Sequence, residues 1–317
     1  MQSFTSAAEV PEGFGPSAVT IGKFDGLHAG HRRILQRLDE LAAERGLVPT
    51  VVTFDRNPLR VIAPERCPDD LVSPAQKREL LEAAGVGAVL MLSFDSALSS
   101  LPPERFVREI LVDALHARVL LVGRDFRFGA RGAGDLALLR RMGEELGFDV
   151  ELQPDVALAG ERRASSTWVR ELLAHGDIRG AAELLGRNPV VRSVVVHGEQ
   201  RGRELGYPTA NLGPAELEGF IPADGVYAAW LTVDGVRYPA AVSIGNNPTF
   251  EGVPARQVEA HALDQDFDIY GARVEVEFVD RLRGMERFDS LDALITQMDA
   301  DTARTRAVLG DQGSGRP

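Results

Sequence analysis

The sequence predicts two domains: an α/β domain with a parallel sheet over residues 1–186, and a small antiparallel β-barrel with a terminal helix over residues 187–317. The length of 317 residues suits about two domains. Up to about residue 186, short apolar runs alternate with helical segments, which is typical of βαβ units and a parallel sheet. From Pro189 onward apolar residues recur with a period of two, which indicates half-buried strands.

The first half is predicted to alternate strands and helices. Ser73, Pro74 and Gln76 have the spacing of a capping box with proline at the first helical position, and so mark one helix start. The predicted strands are Ser17–Ile21, Leu47–Phe54, Val86–Phe94, Arg118–Gly123 and Phe148–Leu152. One helix is predicted to follow the first strand and to end at about Arg45, and another to begin at Ser73. The other predicted helices are Pro103–His116, Asp135–Leu146, Ser166–Ala174 and Ile178–Leu185.

The second half is predicted to be a barrel followed by one helix. Residues Val233 to Val236 read Val-Asp-Gly-Val, which is a two-residue hairpin signal. The predicted strands are Val190–Val196, Val226–Val233, Val236–Ile244 and Arg273–Val279. The apolar stripe of the last helix is Leu291, Leu294, Ile295 and Met298, for which packing is the expected role.

Composition narrows the class of protein. The chain is 44% hydrophobic and 26% charged, and no apolar run approaches the ~18 residues of a membrane span. The N-terminus lacks the basic and apolar regions of a secretory signal. Cys67 is the single cysteine, which suits a reducing cytoplasm. A net charge of -12 argues against non-specific nucleic-acid binding but allows small anionic ligands.

The lysines exclude one kind of ATP site. Lys23 and Lys77 are the only lysines, and neither lies in a GxxxxGKS or GxxxxGKT context. If the protein binds ATP, we therefore expect it to do so without a Walker-type loop.

The stretch VTIGKFDGLHAGH, from Val19 to His31, predicts a phosphate site. A strand leads into a glycine-rich turn and then into a helix N-terminus, whose free N–H groups and dipole attract anions. His28 and His31 are three residues apart, so both rings can face the same phosphate, and Gly30 would let a ligand approach the backbone. The alternatives are a surface pair or part of a metal site, although zinc would need further ligands that the sequence does not offer.

This stretch resembles the GxFDGxHxGH signature of the FMN adenylyltransferase module in prokaryotic bifunctional FAD synthetases. LLVGRDFRFGARGAGD, residues 120–135, resembles the family's flavin-side loop. SSTWVRELLAHGD, residues 165–177, resembles its SST-x-x-R segment, the counterpart of a mobile lysine-containing loop in related nucleotidyltransferases.

The second half resembles the family's riboflavin kinase module. HGEQRGRELGYPTANL, DGVYAA, SIGNNPTF and VEAHALD, followed by DIYG, occur in the family's order. The resemblance covers about residues 15–309. The segment that joins the modules departs from the usual Gly-Arg-Pro-Tyr: residues Gly186 to Pro189 read Gly-Arg-Asn-Pro, without the aromatic residue.

For the first half, the resemblance implies a Rossmann-like nucleotidyltransferase domain that transfers AMP from ATP to FMN. Negative charge builds on the α-phosphoryl oxygens in that reaction, and donors aimed there lower the barrier. The implied catalytic residues are His28, His31 and Arg170, and the implied ATP-binding residues are Gly22, Phe24, Asp25, Gly30, Ser166 and Thr167. The alternative for the last segment is an ordinary helix N-cap with a solvated arginine.

The implied flavin-binding residues are Asp125, Phe126, Arg127 and Phe128. Arginines would present positive charge to a phosphate, and the aromatic rings would face isoalloxazine. Taken alone, an arginine-rich loop is usually solvated. Asp125 stands where some relatives carry Asn, and Trp168 either covers the nucleotide or packs.

For the second half, the resemblance implies a riboflavin kinase site. Its ATP phosphates would lie on the backbone around Gly198, Gly202 and Gly206. Thr209 and Asn211 would hold Mg²⁺, a hard cation that prefers oxygen ligands. Glu259 matches the general base for the riboflavin 5′-hydroxyl, and its alternative is an outward charge on a strand.

Together these features predict a cytoplasmic bifunctional enzyme that phosphorylates riboflavin to FMN and then adenylylates FMN to FAD. The expected ligands are ATP, Mg²⁺, riboflavin, FMN and FAD, with no nucleic acid or membrane partner. The oligomeric state cannot be read from the sequence. The alternatives are a monofunctional nucleotidyltransferase with a flavin-binding barrel, and a non-catalytic flavin carrier.

Overall fold

The computed structural model describes residues 1–153, 162–198, 207–245, 256–265 and 268–313 of the chain. The chain forms two compact units, Met1–Ser165 and Ser166–Pro317. The first unit contains a six-stranded parallel sheet with helices, and the second contains a closed antiparallel barrel with a C-terminal helix. The predicted fold class is therefore confirmed.

The sheet of the first unit has the strand order β1-β4-β3-β2-β5-β6, and every pairing in it is parallel. Its strands are β1 (Gln2–Phe4), β2 (Ser17–Ile21), β3 (Val48–Phe54), β4 (Ala88–Leu92), β5 (Ala117–Gly123) and β6 (Asp149–Gln153). The five predicted strands are all present. The sequence missed β1, because three residues are too few to show a period.

The helices of the first unit lie between these strands. They are α1 (Ala29–Arg45), α2 (Leu59–Ile62), α3 (Pro74–Ala83), α4 (Ser96–Ser99), α5 (Pro103–Arg105) and α6 (Leu136–Leu146). The predicted capping box of α3 is confirmed, because Ser73 Oγ accepts from Gln76 N and the Gln76 side chain accepts from Ser73 N. The helix predicted over Pro103–His116 is α5 followed by a π-helix, Phe106–Ala114, whose wider turn has no signal in the sequence.

Alternate residues of the central strand β2 feed two hydrophobic clusters. Val19 and Ile21 belong to one cluster, and Ala18 belongs to the other, where α1 contributes Leu38 and Leu41. All five residues of β2 are buried, because both faces of the parallel sheet are covered. The carboxyl end of β2 is thereby held rigidly where the chain leaves the sheet.

The second unit is a barrel of six strands in the closed order β10-β11-β8-β7-β12-β9. The strands are β7 (Val190–Val196), β8 (Ala210–Leu212), β9 (Gly225–Val233), β10 (Val236–Gly245), β11 (Gln257–Ala262) and β12 (Arg273–Arg283). The predicted hairpin between β9 and β10 is confirmed: Asp234 and Gly235 have φ of 48° and 78°, which are the positive values of a type I′ turn.

In the described part of the second unit, the α-helices are α7 (Ser166–His175), α8 (Ile178–Leu185) and α9 (Leu291–Gly313). The first two pack on the barrel, since Ala223 N donates to Leu173 O at 2.9 Å and Arg179 pairs with Asp280 at 2.7 Å. The division between the compact units thus follows Ser165 in the chain, whereas the change of hydrophobic period lies near residue 187.

The long helix α9 follows the barrel. In its predicted stripe Leu294 is buried, but Leu291 is 50% exposed, so the first turn of the helix does not pack as expected. Within the described ranges, neither α9 nor any other helix is long and apolar enough to cross a membrane.

We expect α7 and α8 to stabilise the barrel. They bury Val169, Leu173, Ile178 and Leu184, and each buried aliphatic side chain contributes about 1.5–3 kcal/mol before losses elsewhere. A fragment of residues 166–317 should therefore exceed a fragment of residues 187–317 in free energy of unfolding by at least about 3 kcal/mol. Urea titrations followed by far-UV circular dichroism measure both values. Equal values would contradict the assignment of these helices to the barrel unit.

Candidate active sites

The first candidate site is built by the turn between β2 and α1. Phe24, Gly26 and Leu27 have φ of 47°, 81° and 43°, so two non-glycine residues occupy the left-handed region. This strain persists because Phe24 and Leu27 are 1% and 3% exposed and are held by the core. The turn is thus fixed by packing.

The turn places two histidines at the start of α1. His28 is the N-cap residue, and its ring stacks on that of His31 with 3.9 Å between centroids. The Phe24 ring lies 5.0 Å from the His31 ring on another side. His31 Nδ1 is buried and has no hydrogen-bond partner within the described residues. The structure therefore brings both predicted histidines together at a helix N-terminus.

Electrostatics keeps His31 neutral. Burial lowers its pKa well below the usual value, and the nearby His28, Lys77, Lys23 and Arg163 lower it further. A neutral imidazole still offers one N–H donor and one acceptor nitrogen. Without a ligand, the site therefore avoids two stacked positive rings.

Gly22, Asp25 and Gly30 of the Val19–His31 stretch lie close to other groups of the protein. A Cβ on Gly30 would lie 3.1 Å from the His28 ring and 3.4 Å from Ala164 O, and a Cβ on Gly22 would lie 3.0 Å from the Phe24 ring. These glycines thus leave room for protein side chains, and the role of Gly30 towards a ligand stays a prediction. Asp25 is buried and accepts from Leu71 N at 2.9 Å, which ties the turn to the start of α3.

Lys77 is a candidate site residue that sequence reasoning did not select. Its Nζ donates to Phe54 O at 2.8 Å, and the residue is 6% exposed. Burial lowers its pKa, while Asp25 and two other carboxylates act in the opposite direction. The sequence did contain a signal for Lys77, because the capping box places this lysine in the first turn of α3.

The predicted flavin-side loop lies after β5. Phe126 and Phe128 stack with 5.4 Å between centroids, but Phe128 is only 7% exposed and belongs to the core. A Cβ on Gly134 would come within 2.6 Å of the Phe128 ring, which shows how closely the loop closes over it. Of the four residues predicted to bind flavin, the half-buried Phe126 and the exposed Asp125 and Arg127 leave surface for a ligand.

The SST-x-x-R segment begins α7. Ser166 is the first helical residue, Thr167 is exposed, and Arg170 lies one turn further along. Thr167 and Arg170 share a helix face because they are three residues apart. Val169 and Leu173 supply the buried face.

The second candidate site lies in the barrel. Asn211 of β8 and Glu259 of β11 are direct partners across one antiparallel pair, so their side chains share a face. A Cβ on Gly198 would lie 2.3 Å from Asn211 Nδ2, so only glycine leaves room for that amide. Gly202 and Gly206, also predicted to bind ATP, lie outside the described residues.

Two pockets meet at Thr209. The β8 pocket is lined by Thr209, Asn211 and Tyr270, among others. The α9 pocket is lined by Thr209, Glu259, and residues of β12 and α9. A ring nitrogen of His261 contacts Pro208 O at 2.8 Å and so fixes the residue before Thr209. The geometry suits two substrates that react where the pockets meet.

The state of His31 can be tested by NMR titration. Its lowered pKa means that its Cε1–H resonance should keep its neutral position well below pH 6.5, the usual midpoint of a histidine. The unfolded chain binds this proton more readily, so His31 should lower the free energy of unfolding as pH falls below about 6.5. His31→Gln identifies the resonance. A midpoint for His31 at or above about 6.5 would contradict the assignment.

Comparisons with known proteins agree with this arrangement. Family models described as FAD synthetase and riboflavin kinase match residues 11–167 and 185–309. The bifunctional riboflavin kinase/FMN adenylyltransferase of Pseudomonas fluorescens is 41% identical over 289 residues, which cover 91% of this chain and 92% of the relative. That of Escherichia coli strain K12 is 38% identical over 293 residues, which cover 92% of each.

A solved structure matches the whole fold. It is described as a macrolide-efflux protein from Streptococcus pneumoniae, is 32% identical, and superposes with a TM-score of 0.82 over 96% of this chain and 98% of that chain. The two family models match the first and the second half of the chain, and both relatives match it over more than nine tenths of its length. The chain therefore belongs to the bifunctional riboflavin kinase/FMN adenylyltransferase family.

Proposed function

We propose that the protein phosphorylates riboflavin to FMN in its barrel and adenylylates FMN to FAD in its α/β unit, and that it uses ATP in both steps. One observation carries this proposal: each compact unit holds a residue set suited to one of the two reactions. The first unit presents a stacked histidine pair at a helix N-terminus, with His28 buried and His31 half-buried. The second presents Thr209, Asn211 and Glu259 around two adjoining pockets.

In the kinase step, the 5′-hydroxyl of riboflavin attacks the γ-phosphorus of ATP. We place the nucleotide in the β8 pocket and riboflavin in the α9 pocket, because Glu259 lines only the latter. Glu259 accepts the hydroxyl proton, and ADP leaves. Thr209 lines both pockets and so lies beside the transferred group.

The residues around Thr209 also suit Mg²⁺. The Thr209 hydroxyl and the Asn211 amide provide neutral oxygen donors, and Gly198 leaves the space that the amide needs. When bound with ATP, the ion would offset negative charge on the phosphates. No cluster of three or more His, Cys, Asp or Glu side chains that could hold a metal occurs in the described residues, so phosphate oxygens would complete the coordination.

In the second step, the FMN phosphate attacks the α-phosphorus of ATP, and pyrophosphate leaves. The N-terminus of α1 and the two imidazoles provide donors for the phosphoryl oxygens. A bound polyphosphate raises the pKa of a neighbouring imidazole, so the neutral His31 gains positive character as ATP arrives. Lys77 and Lys23 add positive charge near the same ring.

Three further groups of residues are assigned to the adenylylation step. The resemblance assigns Ser166, Thr167 and Arg170, which begin α7, to the leaving pyrophosphate, and hydroxyls and a guanidinium on the first turns of a helix suit an anion. Gly22, Phe24, Asp25 and Gly30 shape the ATP-binding turn. Phe126 and Arg127 contact the flavin. The Phe128 ring stacks on the Phe126 ring, and Asp125 is exposed next to them in the chain.

One assay separates this function from its alternatives. The protein is supplied with riboflavin and MgATP, and FMN, FAD, ADP and pyrophosphate are separated by chromatography. Formation of FMN and FAD supports two activities. FAD formed only from added FMN indicates a monofunctional nucleotidyltransferase, and flavin binding without turnover indicates a carrier. The ligands proposed are small molecules, and the single cysteine supports a cytoplasmic location.

Glu259→Gln tests the kinase base. The amide keeps the size of the side chain but cannot take a proton, and general-base assistance is worth about 10²–10⁴ in rate. Kinase turnover at saturating riboflavin and MgATP should fall by at least about 10². Adenylylation of added FMN should persist. The matched control is Glu277→Gln, a barrel glutamate that pairs with Arg237. Wild-type kinase turnover in the Glu259→Gln variant would contradict the assignment of Glu259 as the general base.

His28→Ala and His31→Ala test the adenylylation site. Each should lower FMN adenylylation by about 10²–10³, the scale for one lost donor to a developing oxyanion. Riboflavin phosphorylation should be nearly unchanged, because that site lies in the other unit. His175→Ala is the control, since His175 is exposed at the end of α7. Equal loss of both activities in a folded variant would indicate a structural role for the pair.

A further inference from the structure

A mostly buried ion pair lies in the wall of the α9 pocket, outside the catalytic residues assigned above. Arg283, the last residue of β12, donates from Nε and Nη2 to the Asp301 carboxylate of α9 at 2.8–3.1 Å. Their side chains are 15% and 8% exposed. Gln297 donates to the same carboxylate at 2.9 Å. The guanidinium plane is therefore fixed.

A buried ion pair is an energetically costly way to hold a helix against a barrel. Desolvating two charges costs several kcal/mol per ion, and apolar residues of similar volume often hold a helix as well or better. The α9 pocket already has such residues, including Leu294, Met298 and Phe288. The pair therefore calls for a role besides fastening α9.

Arg283 has donors to spare. Of its five N–H groups, one on Nε and one on Nη2 serve Asp301, and one on Nη1 serves Gly284 O at 3.1 Å. In the described part of the chain, the other two N–H groups have no acceptor. Phe288 lies with its ring centroid 5.6 Å from the guanidinium carbon. An oriented donor beside apolar and aromatic side chains suits a flat ring with carbonyl oxygens at its edge.

Arg283 and Glu259 line the same pocket from different strands. Glu259 lies on β11 and Arg283 on β12, which are three steps apart in the closed strand order. Riboflavin has the reacting hydroxyl at the end of its ribityl chain and two carbonyl groups on the pyrimidinedione ring of isoalloxazine. A molecule with its hydroxyl at Glu259 would place its ring elsewhere in this pocket, where Arg283 is a donor in the lining.

We propose that Arg283 recognises a carbonyl oxygen of the flavin pyrimidinedione ring and that Asp301 is the positioning residue that orients it. This proposal rests on the kinase function proposed above. Arg283 is then a specificity-determining residue for the flavin substrate. It donates to the ring in the ground state and the transition state alike, so its loss should raise KM with little change in kcat.

The test replaces both charges with apolar side chains of similar size, Arg283→Met together with Asp301→Leu, which keeps α9 packed and removes the donor. Kinase kinetics are measured with riboflavin and with its 2-thio and 4-thio analogues, whose sulphur accepts hydrogen bonds weakly. We expect the wild-type protein to prefer riboflavin over at least one analogue about fivefold or more in kcat/KM, since the sulphur weakens a hydrogen bond from a charged donor. In the double variant, KM for riboflavin should rise about tenfold, and the preference should approach one.

The controls separate recognition from packing. KM for ATP and adenylylation of added FMN should be unchanged in the double variant. Arg306→Lys with Asp264→Asn, an exposed ion pair that also involves α9, should change neither KM nor preference. An unchanged riboflavin preference in the folded double variant would overturn the proposal and leave the pair as a fastening of α9.

Two outcomes need no folded variant. A wild-type protein that treats riboflavin and both thio analogues alike would overturn the role of Arg283 even if the double variant fails to fold. A wild-type protein that does not phosphorylate riboflavin at all would overturn the proposed kinase function. The two failures are therefore distinguishable.

Discussion

Backbone pairing at the ends of buried strands is the constraint on which both sites depend. In the first unit, β2 pairs with β3 and β5 and is buried along its whole length, so the chain leaves the sheet at a fixed point. The strained turn after it is held by the core, and α1 must begin where the histidines stack. In the barrel, pairing of β8 with β11 sets Asn211 opposite Glu259. Side-chain chemistry is thus positioned by hydrogen bonds between backbones.

Burial then sets the charge of the groups that these strands place. The protein carries a net charge of -12, yet its two lysines both lie near His31. Desolvation and neighbouring positive charge keep the His31 ring neutral, and the buried Lys77 is held by a backbone carbonyl and nearby carboxylates. In the proposed function, a bound polyphosphate supplies negative charge beside this ring. The acidic surface and the local basic site are therefore compatible, because electrostatic interactions are strongest where water is excluded.

The two units use buried polar groups differently. At the start of α1, the His31 ring is kept neutral, so in the proposed function the anionic ligand brings the charge. In the α9 pocket, Arg283 and Asp301 are already paired within the protein, and we propose that the pair presents an oriented donor to a neutral ligand. The first arrangement suits phosphates and the second suits a flavin ring. Because the histidine pair and the Arg283–Asp301 pair lie in separate units, each keeps its own local charge environment.

The sequence by itself determined the local features of this protein. The change of period separated the parallel sheet from the barrel, and the capping box of α3, the Asp234-Gly235 hairpin and the His28–His31 spacing depend on neighbouring residues alone. Tertiary structure decided the rest. The three-residue strands β1 and β8 exist only through their partners, Gly30 makes room for His28, and Phe128 is buried by its loop. Lys77, Arg283 and Asp301 reach their positions through packing between elements distant in sequence. Periodicity and capping report interactions within a few residues, whereas burial and pocket formation depend on contacts that only the folded chain creates.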